Sequence, residues 1–175
     1  MTRAVLSIGS NIGDSEQQLR AVVEGLGDAV VAVSTVFATA PWGGIDQQDF
    51  LNAVVIVDDE NTDCRGWLRR GQQLETAAHR ERVQRWGPRT VDVDIVVCDD
   101  VVSDDPELIL PHPLAHERAF VLAPWLDADP DAVLRGRSVR DLLAELPESE
   151  RAGVRRTETR LWDPVRCGRA GGDST

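Results

Sequence analysis

Two aspartates, Asp92 and Asp94, stand one residue apart in the β-branched run Val91 to Val97. Successive strand side chains point to opposite faces, so the two carboxylates project side by side and Val91, Val93, Ile95 and Val97 face the other way. Two ionised carboxylates held close repel each other unless a cation lies between them. A hard divalent ion such as Mg2+ takes oxygen ligands, keeps several waters and can complete its shell with substrate phosphates. Just upstream, Gly87-Pro88-Arg89 sets a cation on a turn, the last of a cluster made of Arg80, Arg82, Arg85 and Arg89. Carboxylates for metal and arginines for phosphate together suggest phosphoryl transfer. The plainer alternatives are strand-end aspartates and a solvated charged loop. Two strand carboxylates with no lysine nearby are costly to keep for structure alone, which favours the metal.

Composition narrows the possibilities. A chain of 175 residues, 42% hydrophobic and 28% charged, fits one soluble domain with a full core. Residues 1–162 are expected to form it, with 163–175 a flexible tail. No apolar run reaches the length of a membrane helix, and the N-terminus reads as a first strand, so a cytoplasmic monomer is expected. The net charge of −11 argues against nucleic-acid binding. All 19 cations are arginine, which excludes a Walker A lysine or a lysine Schiff base but not a phosphate site. The three cysteines (Cys64, Cys98 and Cys167) form no CxxC pair and are expected to be free thiols in a reducing compartment.

The elements that must carry these residues follow in order. Ala4 to Gly9 reads as a strand, followed by the turn Gly9 to Asp14, whose resemblance to a phosphate loop is weak. Asp14 or Ser15 caps a helix to Leu26. Ala29 to Ala38 is a strand, Thr39 to Gln48 a long loop bearing Trp42, and Asp49 to Val57 a strand with Phe50 and Asn52 on one face. Thr62 or Asp63 caps a helix to about His79 that carries Glu75, and Arg80 to Gln84 continues as loop. After the aspartate strand come an acidic loop, the rigid turn Pro111-His112-Pro113, a helix from Leu114 stopping near Pro124, and a short helix capped by Ser138. The order β-α-β-β-α-β predicts an α+β, ferredoxin-like antiparallel sheet, both helices on one face and loops over the other.

Other chemistries fit less well. His112 and His116 lie four apart, but the flanking prolines keep them off one regular helix turn, so a zinc pair is disfavoured. No GxSxG elbow appears, and no cysteine has an adjacent base.

The stretch RWGPRTVDVDIV resembles the signature of the 6-hydroxymethyl-7,8-dihydropterin pyrophosphokinase family. The opening IGSNIGD, the loop TAPWGGIDQQDFLNAVV, the E-x4-R-x-R run from Glu75 to Arg82, and PHPLAHERAF are similar to the family in the same order, over about Val5 to Asp129. The resemblance implies Mg2+-dependent transfer of pyrophosphate from ATP to the pterin's hydroxymethyl oxygen, in folate biosynthesis. It implies Asp92 and Asp94 as ligands of two Mg2+ ions, and Arg80, Arg82, Arg89, His112 and Arg118 as phosphate contacts. Arg80 and Arg82 would lie on a mobile loop, with Glu75 near the nucleotide. Asn52 would hydrogen-bond the pterin beside Thr39, Phe50 and Phe120 would sandwich it, Trp86 would close the site and Trp42 would lie on the pterin side. Arg80, Arg89 and the aspartates would carry catalysis. The chain departs from the family's pattern at Ala40, where proline is common, at Phe50, where tyrosine is common, and in an Arg82–Arg85 segment one residue short.

Two other classes compete: another Mg2+-dependent phosphoryl or nucleotidyl transferase, which would want a basic track, and a ligand-sensing module, which would leave the aspartates and arginines unexplained.

Overall fold

Residues 2–40, 48–83 and 91–164 of the computed structural model are described, the side chains of 79–83 excepted. Strand β1 (Thr2–Ser10) alternates Ala4, Leu6 and Ile8 on one face with Val5, Ser7 and Gly9 on the other. It is an interior strand of the sheet, antiparallel to β4 (Phe50–Asp59) on one side and to β5 (Asp92–Cys98) on the other. Beyond β4 come β2 (Val30–Val33) and β3 (Thr35–Thr39), and β10 (Val154–Arg160) pairs with β3, giving the path β10-β3-β4-β1-β5.

Helix α1 (Ser15–Leu26) starts where the Asp14 carboxylate accepts the Gln17 N–H at 3.1 Å, as its capping residue predicts. Its Leu19, Val22, Val23 and Leu26 bury against Leu6, Val55 and Val57. Helix α2 (Cys64–Val83) joins it on that face through Trp67, Leu68 and Leu74. The two helices cross tightly: a Cβ at Gly25 would stand 2.4 Å from Leu74 Cδ2.

Several expectations need correction. Ala29 to Ala38 is not continuous, because the Ser34 hydroxyl accepts the Val54 N–H (2.9 Å) in place of a ladder carbonyl and splits it into β2 and β3. Helix α2 does not stop at His79 but runs to Val83, so Arg80 and Arg82 belong to its last turns and not to a loop. Helix α3 (Ala119–Ala128) continues through Pro124, whose missing donor is offset by burial of Leu122, Pro124 and Trp125. The acidic loop contains a hairpin, β6 (Ser103–Asp105) with β7 (Leu108–Leu110). Cys64 and Cys98 are joined in a disulfide, not free. They stand 34 positions apart, but α2 runs antiparallel to β5 and brings the first residue of one to the last of the other.

The sheet's second face is not left to loops. Helices α3 and α4 (Val139–Glu145, capped by Ser138) and the hairpin β8 (Val133–Leu134) with β9 (Arg137–Ser138) cover part of it around Val5, Val54, Ile56 and Val96. After α5 (Glu148–Ala152), β10 extends the sheet edge, and Asp127 of α3 ties it there: its carboxylate accepts the Thr35 N–H at 2.8 Å and pairs with Arg156 at 3.0 Å. Residues 165–175, most of the expected tail, lie outside the described residues.

Candidate active site

The register of β3, β4, β1 and β5 aligns Phe37, Asn52, Gly9 and Asp92 in one row across the sheet. Directly paired residues in an antiparallel sheet share a face, so these four look the same way. The next row on that face runs Val54, Ser7, Asp94. Asp92 and Asp94 therefore stand side by side as the period-2 pattern predicts, both exposed, about 7 Å apart along the strand.

The expected parity breaks further along. The register slips between Val5 and Leu6, which pair with Val97 and Ile95, and Val96 is the extra residue. Such a bulge reorients the side chains after it. Val96 and Val97 accordingly join the cluster on the aspartate face, and Val97 does not share a face with Val91, Val93 and Ile95.

Asn52 is buried, 6% exposed, with its side-chain amide 3.5 Å from the Thr39 hydroxyl. Gly9 lies between it and Asp92. A Cβ at Gly9 would sit 2.7 Å from Asn52 Oδ1, so only glycine leaves this floor open. From sequence Gly9 closes the first strand and opens a turn; in the structure the strand runs one residue further, to Ser10. The available signal was a glycine within a strand, which often marks close approach of a ligand.

The aromatics expected on either side of Asn52 belong to this face. Phe50 shares it by strand parity and is 39% exposed. Phe120, in the first turn of α3, packs on the same apolar cluster. The Arg118 guanidinium lies 5.5 Å from the Phe120 ring centre, close enough for a cation–π contact.

His112 connects this end to the aspartates. Its N–H donates to the Val96 carbonyl at 2.8 Å, docking the turn against β5. Burial pushes the imidazole pKa below its ordinary value, the Asp94 carboxylate opposes that shift, and Arg118 adds to it. The His112 Nδ1 accepts the Leu114 N–H (3.2 Å), which leaves Nε2 to carry the proton of the neutral ring. His116 is not a partner for it; its Nε2 lies 3.5 Å from Glu117.

Glu75 reaches the strand backbone: Oε1 accepts the Val93 N–H at 2.8 Å, between the two aspartates. Trp42, Trp86 and Arg89 lie outside the described residues, as do the side chains of Arg80 and Arg82.

Among the described residues no three His, Cys, Asp or Glu side chains cluster as a complete metal shell. Two exposed carboxylates on one face suit an ion that draws its remaining ligands from water and phosphate.

The sequence model of the 7,8-dihydro-6-hydroxymethylpterin-pyrophosphokinase family matches residues 5–130. The chain belongs to this family. Among its relatives is the 2-amino-4-hydroxy-6-hydroxymethyldihydropteridine pyrophosphokinase of Mycobacterium tuberculosis, 51% identical over 168 residues, covering 89% of each chain. The enzyme of that name from Methylorubrum extorquens is 44% identical over 162 residues, covering 90% of this chain and all of its own. A Plasmodium falciparum HPPK-DHPS crystal structure shares the fold at a TM-score of 0.66 and 14% identity, over 89% of this chain and 46% of its own length. The chain thus spans about half of that longer protein.

As a member of the pyrophosphokinase family, the chain is a diphosphotransferase that moves pyrophosphate to hydroxymethyldihydropterin in folate biosynthesis. The family match ends at residue 130, before α4, α5 and β10. Of those later elements, β10 completes the sheet edge beside β3. No helix among the described residues is long and apolar enough to cross a membrane.

Proposed function

We propose that this pyrophosphokinase transfers the β,γ-pyrophosphoryl group of ATP to the hydroxymethyl oxygen of 6-hydroxymethyl-7,8-dihydropterin, releasing AMP, and that Asp92 and Asp94 hold two Mg2+ ions. The row Asn52–Gly9–Asp92 carries this reading. Its ends are two strand spacings apart, about 10 Å. A flat bicyclic ring can lie over Gly9, hydrogen-bonded by Asn52 at one end, with its one-carbon arm directed at Asp92. Phe50 and Phe120 supply stacking surfaces for the ring.

The phosphates then belong beside the aspartates. Arg118 and the Nε2–H of a neutral His112 can donate to phosphate oxygens there. The family resemblance adds Arg80 and Arg82, in the last turns of α2, and Arg89 as further phosphate contacts. Mg2+, when bound, would neutralise charge on the phosphate oxygens. The residues bind and orient the substrates, and no general base stands out among the described residues. Phosphoryl transfer tolerates this, because positioning and electrostatics supply most of the catalysis.

The β-α-β-β-α-β order of β1, α1, β3, β4, α2 and β5 supports a ferredoxin-like core with β10 added at its edge. On this reading residues 1–162 form one domain, working as a cytoplasmic monomer. Incubation with ATP, Mg2+ and the hydroxymethyl dihydropterin should yield AMP and pterin diphosphate in equal amounts. Release of ADP, or no AMP above a control lacking pterin, refutes the proposal.

A further inference from the structure

We propose that Glu75 is a positioning residue for the aspartate pair, acting through the Val93 amide and not by touching nucleotide or metal. The inference rests on the reading that Asp92 and Asp94 hold Mg2+.

Strand β5 ends the sheet, so its outer edge has no ladder partner among the described strands. A strand edge of this kind leaves N–H groups free to fray. It also carries two carboxylates whose mutual repulsion favours splaying them apart. The residue between them is Val93, and its N–H donates to Glu75 Oε1 at 2.8 Å. That bond fixes the peptide linking Asp92 to Val93.

Helix α2 is built to deliver this contact. Gly71 lies one turn before Glu75, on the same helix face. A Cβ there would come 3.1 Å from Val93 Cγ1, so the glycine lets the helix descend onto the side chain whose amide Glu75 holds. At the far end the Cys64–Cys98 disulfide joins the helix start to the strand end. From Cys64 to Glu75 the helix advances about 16 Å, and from Cys98 back to Val93 the strand covers about 17 Å. Helix and strand keep step over that length. The helix is pinned at both points, and Glu75 is the one next to the aspartates. Outer groups that orient metal ligands in this way are worth about 10-fold to 100-fold in metal affinity.

The test uses the full chain with Glu75→Ala and Glu75→Gln. Glutamine keeps an acceptor oxygen but loses the charge. Glu75→Asp, which withdraws the carboxylate by one methylene, replaces the alanine variant should that one not fold. Two quantities are read: hydrogen exchange at the Val93 amide, and Mn2+ affinity in the presence of a non-hydrolysable ATP analogue. Glu75→Ala is expected to speed Val93 exchange and weaken Mn2+ about 10-fold. Glu75→Gln should stay near wild type in both, and metal-free affinity for the analogue should not change. Unchanged Val93 exchange or unchanged Mn2+ affinity in Glu75→Ala overturns the proposal. So does an equal loss of metal-free analogue affinity in the alanine and glutamine variants, the mark of a direct nucleotide contact. Asp94→Ala serves as control. If it keeps full Mn2+ affinity, the metal assignment fails, whereas Val93 exchange still reports on the tether.

Discussion

Gly9 faces Asn52 across the β1–β4 ladder, and a single methyl at Gly9 would press within 2.7 Å of the asparagine's Oδ1. Gly9→Ala must therefore push Asn52 out of its position or fill the floor proposed here for the pterin. Overpacking of this kind typically costs about 1–3 kcal/mol of stability. Calorimetric titration should show dihydropterin affinity falling about 10-fold or more, with affinity for the ATP analogue retained; this is the share of about 1.4 kcal/mol per decade.

Asp94→Ala is expected to nearly abolish turnover while dihydropterin still binds detectably, because Asn52 and the aromatics are untouched. Asn52→Ala should do the reverse, raising the pterin KM with a smaller effect on kcat. Quenched-flow measurement of AMP under saturating substrates separates the two. Near-normal turnover of Asp94→Ala contradicts the metal assignment.

The disulfide closes a loop from Cys64 to Cys98. Constraining the unfolded chain over that separation corresponds to about 3–4 kcal/mol. Denaturant unfolding of Cys64→Ser/Cys98→Ser against the oxidised protein should show a loss of that order. A midpoint shift equivalent to less than about 1 kcal/mol would mean the linkage is not formed in solution.

His112 gives a pH dependence whose sign follows from its depressed pKa, caused first by burial. The unfolded chain then takes up the proton more readily than the folded one. As pH falls below the ordinary histidine value of about 6.5, stability is lost, and the loss continues until the folded-state pKa is passed. Thermal unfolding between pH 8 and 5 without nucleotide or metal should be less acid-sensitive in His112→Gln than in wild type. An identical slope in the two proteins would show that His112 does not carry the effect.

Asp127→Ala removes the acceptor shared by the Thr35 N–H, the Thr35 hydroxyl and Arg156. Leaving the part-buried Thr35 amide unsatisfied should cost about 1–3 kcal/mol. Because the bond ties α3 to β3 and β10, the loss should appear as faster amide exchange in β10 before the rest of the sheet.

The chemistry was legible in the residues themselves. The period-2 spacing of Asp92 and Asp94 requires them to share a face whatever lies around them, and the Asp14 cap locates α1 by local hydrogen bonding alone. What local pattern could not supply was every feature set by a neighbouring strand or helix. The bulge at Val96 arises from a register slip against β1, so nothing in the run Val91 to Val97 announces it. The splitting of β2 from β3 depends on which amide the Ser34 hydroxyl meets. Cys64 and Cys98 become partners only because α2 runs antiparallel to β5, a direction that cysteine spacing does not encode. Glu75 and Gly9 belong to the same class: a helix glutamate and a strand glycine have no fixed role until packing brings one to the Val93 amide and the other between Asn52 and Asp92. Sequence alone named the groups proposed for phosphate, metal and ring. Tertiary structure decided which of them share one face, because register and helix direction are set by burial across the whole sheet.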